Sequence, residues 1–112
     1  MAILVIRQKA TREESDEMLK DLGNYIKVAV DISKSVLAGG GFLHADCEAL
    51  LIREGSRIEN IWGADWYPEN QKIRFEAMIN LAPKRENRSM QIQDPKIRAK
   101  VEKVIRQLLE GV

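Results

Sequence analysis

The chain has 112 residues, 45% hydrophobic and 31% charged, with eighteen basic and seventeen acidic side chains and a formal charge of +1. A single domain over 1–112 fits that length, with enough chain to bury roughly 65% of its unfolded surface in one core. The charge balance argues against nucleic acid or an anionic membrane surface as partner, and one cysteine, Cys47, excludes an intrachain disulfide and a multi-cysteine zinc site.

The apolar run Ala2 to Ile6 in "AILVIRQ" reads as a first strand. It is too short for a signal-peptide core or a membrane span, so the expected location is cytoplasmic. Thr11 and Glu14 have the spacing of a capping box at the start of a short helix that Gly23-Asn24 ends. Ile26, Val28, Val30 and Ile32 alternate with Lys27, Ala29 and Asp31, and "SVLA" follows as a hairpin return. Further strands are expected over 42–53, 57–67 and 72–81, turning at Glu54-Gly55-Ser56 and at Pro68-Glu69-Asn70. The stretch 82–94, "APKRENRSMQIQD", has no periodicity and is long for a connection in a small domain, which marks a functional or self-packed loop. Asp94-Pro95 then caps a helix whose apolar face is Ile97, Val101, Val104, Ile105 and Leu108. The expected class is α+β: an antiparallel meander of about five strands plus an N-terminal strand and short helix, packed by the C-terminal helix.

On a strand over 42–53, His44, Asp46 and Glu48 leave one face while Leu43, Ala45, Cys47, Ala49 and Leu51 leave the other. Phe42, Leu50 and Ile52 bracket the polar three, which predicts a partly covered recess. A metal ion would need help from Glu76 or Asp31, because positions 44 and 48 of a flat strand stand roughly 13 Å apart. As a catalytic group, His44 is a general base that Asp46 would orient. Cys47 points away, a small buried apolar residue. The competing account is cross-strand charge pairing, with Arg74 opposite Asp46 or Glu48.

Trp62 and Trp66 share one strand face and offer either core or an interface, in a chain expected to be a homo-oligomer. In the long loop, Arg88 is placed to clamp a carboxylate or phosphate, unless Asn87 and Ser89 simply hold the loop's own backbone. Lys96, Arg98, Lys100, Lys103 and Arg106 read as the solvated face of the last helix.

"VDISKSVLAGGGFLHADCEALLIREGS", "NIWGADWYP", "FEAMINLAPKRENRSM" and "QDPKIR" resemble a family of small uncharacterised proteins from cyanobacteria and other prokaryotes. The resemblance runs from about Tyr25 to Leu109, implies a bacterial cytosolic protein, and assigns no activity, cofactor or catalytic residue. The residues themselves lead to a module binding a small polar ligand or ion, with His44, Asp46, Glu48, Glu76 and Arg88 as its candidate contacts. A small metal-dependent or His-based hydrolase and a non-enzymatic interaction domain are the alternatives.

Overall fold

The computed structural model describes residues 3–112, so Ala2 of the expected first strand lies outside the described residues. In chain order the elements are β1 (Leu4–Ile6), α1 (Arg12–Leu19), β2 (Ile26–Asp31), β3 (Val36–Gly39), α2 (His44–Arg53), β4 (Ile61–Tyr67), β5 (Lys72–Arg74) and α3 (Pro95–Leu109). Single 3-10 turns occupy Ile58–Asn60, Met78–Asn80 and Pro83–Arg85. All five strands form one antiparallel sheet in the order β1-β3-β2-β4-β5. The class is α+β as expected, but the path is not a simple meander: β1 pairs with β3, and α2 carries the chain from β3 over to β4. No helix among the described residues is long and apolar enough to cross a membrane.

Local chemistry explains most boundaries. The Thr11 hydroxyl accepts from Glu14 N and the Glu14 carboxylate accepts from Thr11 N, closing the capping box of α1. Asp94 accepts from Lys96 N at the start of α3, where Pro95 has no N–H to lose.

The largest departure is at 42–53, which is helix and not strand. Leu43, Cys47, Leu50 and Leu51 fall at i, i+4, i+7 and i+8, so the apolar residues that alternate in a strand reading also line one helical face. Helix-forming Ala45, Glu48, Ala49, Leu50 and Leu51, with no β-branched residue before Ile52, decide between the two periods. Gly40 and Gly41, at φ of 112° and 73°, turn the chain from β3 into α2. Glu54-Gly55-Ser56 is consequently a helix exit and not a hairpin. Gly55 N donates to Ile52 O and Ser56 N to Leu51 O, the paired bonds of a Schellman ending.

Helices cover both faces of the sheet. On the first, Ile26, Val28, Val30, Leu37, Ala64 and both tryptophans pack with Met18 of α1 and Val101, Val104, Ile105, Leu108 and Leu109 of α3. Trp62 is 2% exposed and Trp66 0%, so both are core and neither presents an interface. On the second face a smaller set, Ala29, Ala38 and Ile61, meets Cys47 and Leu51 of α2.

The strand expected over 72–81 stops at Arg74, where the chain leaves the edge of the sheet. Residues 75–77 instead pair with 90–92, through Ala77 N to Met90 O and Ile92 N to Phe75 O. Beyond Asp65, the side chain of Asn80 replaces a neighbouring strand. Its Oδ1 accepts from Gly63 N at 2.7 Å and its Nδ2 donates to Gly63 O at 2.9 Å. Gly63 is required there, since a Cβ would stand 2.5 Å from the Cβ of Ala77.

Candidate functional site

Because α2 is a helix, the three polar residues of its first half part company. His44 and Glu48 sit one turn apart on the same side, while Asp46 turns about 200° away from His44. His44 Nε2 lies 2.8 Å from Asp65 Oδ1 and 3.0 Å from the carbonyl of Ala64, with both side chains nearly enclosed. Both neighbours are acceptors, so Nε2 carries the proton and donates to them. Leu43 supplies no side-chain cap to α2. The imidazole on β4, with Lys27 Nζ donating to Phe42 O, docks this helix start in its place. The orienting carboxylate is therefore Asp65, not Asp46.

Nucleophilic chemistry finds no partner at this dyad: among the described residues no hydroxyl or thiol bonds the ring. The Cys47 thiol turns inward to the carbonyls of Gly40 and Lys27. Burial, reinforced by the nearby Asp46 charge, pushes it up to about 12, so it stays a neutral thiol.

Glu48 faces a cleft of about 600 Å³ between α2 and the chain that leaves β5. Ile58, Ile79, Leu81, Ala82 and Pro83 form apolar walls, and Glu59, Lys84 and Arg85 complete the lining. Arg85 is the cation that the sequence reading assigned to Arg88. Its Nη1 donates to Ile61 O at 2.7 Å and Ile58 O at 3.4 Å, its Nη2 donates to Ile79 O at 3.2 Å, and its guanidinium lies 4.0 Å over the Trp62 ring. These carbonyls hold the fork without neutralising it, and among the described residues no carboxylate makes an ion pair with it. Burial lowers the Arg85 pKa, against the charges of Glu48 and Glu59, and the group stays protonated all the same. Burial raises the Glu48 carboxyl, and the Arg85 charge opposes that rise.

The other candidates lie elsewhere. Arg88 is exposed, and its backbone N–H donates to Gln93 Oε1. Asn87 and Ser89 do hold the loop. Asn87 Nδ2 donates to the carbonyls of Asn80, Ser89 and Gln91, and Ser89 Oγ accepts from Gln91 N. Glu76 is paired with Arg74 at 2.7 Å, so Arg74 is spent on Glu76 and faces neither Asp46 nor Glu48. Asp31 is buried at the end of β2, accepting from Ser33 N, Lys34 N and Ser56 Oγ. No group of three or more His, Cys, Asp or Glu among the described residues is placed to hold a metal ion.

Residues 4–108 match a family described as a protein of unknown function, DUF5674. The chain belongs to that family. The match covers nearly the whole chain and agrees with the resemblance to an uncharacterised family noted above. No curated protein and no solved structure matches it.

Nothing in the sequence separated Arg85 from Arg88. Both are arginines of one aperiodic loop, and the single turn begun by Pro83 determines which one folds inward. Glu48, by contrast, was legible as a carboxylate beside apolar residues.

Proposed function

We propose that this protein is a binding module for a small amphipathic molecule, with an apolar body and a carboxylate, taken in the cleft between α2 and residues 79–85. The observation that carries this reading is Arg85: a guanidinium held rigid by three neutral carbonyls and an indole at the wall of a largely apolar cleft, attracted by Glu48 and Glu59 but, among the described residues, in direct ion-pair contact with no carboxylate. Such a fork is set for an anionic oxygen at little further ordering cost. Glu48, whose carboxyl burial raises against the Arg85 charge, stands on the same wall of the cleft. Ile58, Ile79 and Leu81 supply the contact for an aliphatic or aromatic body.

The test is a two-dimensional NMR titration with hexanoate and, separately, hexylamine. Hexanoate is expected to shift the amides of residues 48, 58 and 79–85 saturably, while hexylamine leaves them in place. Leu81→Glu, a change at a half-exposed wall position that leaves the core intact, is expected to abolish the shifts. Equal responses to the two probes, or none to hexanoate, would sink the reading.

A further inference from the structure

We propose that the outer face of α2 is a self-association surface on which a second copy of this chain packs α2 antiparallel to α2, with Ala49 at the two-fold axis. The outward side of this helix is Ala45, Ala49 and Ile52, all exposed, and Phe42 and Leu43 stand at its N-terminal end 53% and 56% exposed. A solvated helix normally turns charge outward, as α3 does. Here the outward stripe is apolar, and alanine at two successive turns lets a second helix approach to about 8 Å.

Charge selects the occupant. Asp46 and Arg53 flank the stripe at opposite ends, and among the described residues neither has a side-chain partner. In an antiparallel pair centred on Ala49, Arg53 of each copy falls beside Ala45 and Asp46 of the other. Two symmetric ion pairs form from groups that are idle in the single chain, which is the self-complementarity an isologous contact requires. A parallel pair would put this flank of the two copies on opposite sides and leave Asp46 and Arg53 without each other. Beside the stripe, Ile3 and Leu50 line a shallow groove of about 350 Å³ together with Asp46, Ala49 and Arg53. The inference does not rest on the ligand cleft, which lies on the Glu48 flank of the helix, and its readout is mass, not ligand binding.

Sedimentation of the full chain from roughly 1 µM to 1 mM, a span covering weak specific association, is the experiment. The mass is expected to rise from 12.8 kDa to twice that value. Ala49→Glu, with circular dichroism to verify the fold, is expected to hold it at the single-chain mass throughout. Asp46→Arg and Arg53→Asp should each be monomeric alone, because each sets like charges across the axis, and an equimolar mixture of the two should recover the doubled mass. A wild-type chain that stays single overturns the proposal. So does a dimer that survives Ala49→Glu, or a mixture of the charge variants that stays monomeric.

Discussion

On one face of the sheet α1 and α3 enclose the larger core, and α3 turns Lys96, Arg98, Lys100 and Lys103 to solvent. On the other face α2 covers a small core built on Ala29, Ala38 and Cys47, and large apolar side chains are left outside. Every exposed large hydrophobic among the described residues, including Phe42, Leu43, Ile52, Ile58, Met78 and Leu81, falls between positions 42 and 90. The first face is closed by burial and finished with charge, so it accounts for stability. The second is closed only at its centre, and its unfinished margin carries both the cleft and the outward stripe of α2. Apolar surface of that extent beside a cation with no carboxylate in direct contact is what a binding surface presents before it is occupied.

That contrast breaks most visibly if the two faces respond alike to truncation. Trp66→Ala, on the closed face, is expected to cost about 3–5 kcal/mol in denaturant unfolding. Ile52→Ser, on the open margin, is expected to stay within about 0.5 kcal/mol of wild type. A large loss at Ile52 in a monomeric sample would mean that the second face is core after all.

The edge of β4 provides the next test. Asn80→Ala leaves the N–H and carbonyl of Gly63 without their partner while the turn around them stays in place. Each orphaned group costs about 1–3 kcal/mol, so the two together should register a loss of about 2–6 kcal/mol in chemical denaturation. Asn80→Asp keeps the acceptor for Gly63 N, sets an acceptor against Gly63 O, and should also destabilise.

Cys47 makes the small core of the second face titratable. Its folded value of about 12 lies above the 9.0 of an unperturbed thiol, so between those limits the folded state holds the proton that the unfolded chain releases. Stability attributable to this group is therefore complete below pH 9 and falls as pH rises, by about 1.4 kcal/mol per unit at most. Subtracting the alkaline unfolding profile of Cys47→Ala from that of wild type isolates the contribution; superimposable slopes would show that the thiol is not sealed in.

Glu48 gives the smallest expected effect. Its carboxyl is raised above the ordinary 4.5, so the folded state binds a proton more tightly than the unfolded state does. This contribution favours folding at acid pH and is lost as pH climbs through the raised value. Glu48→Gln is expected to remove the slope and to be at least as stable as wild type near neutrality. A variant clearly less stable at pH 7 would show that the attraction of Arg85 for ionised Glu48 outweighs the cost of burial.

Much of the architecture was legible from local chemistry. The capping box at Thr11, the Asp94-Pro95 start of α3, the alternation over 26–31 and the turn after Pro68 each depend on side chains acting on backbone a few residues away. The apolar stripe of α3 likewise needs no knowledge of its neighbours. At 42–53 the two periods coincide in sequence, and only the helix-forming residues from Ala45 to Leu51, with no β-branched residue before Ile52, spoke for a helix. That one choice relocated the site: His44 moved to Asp65, Glu48 to a cleft, and Asp46 to an outward face.

By itself, then, the sequence determined the composition of the core, most element ends and the presence of polar groups among apolar ones, because these depend on contacts within a turn or a hairpin. Tertiary structure alone decided that Asp65 meets His44 from twenty-one residues away, that Arg85 and not Arg88 turns inward, and that Asn80 stands in for a strand beside Gly63. Those contacts join groups far apart in the chain. Each exists only because the sheet and its covering turns bring the partners within hydrogen-bond reach, a distance that no local pattern encodes.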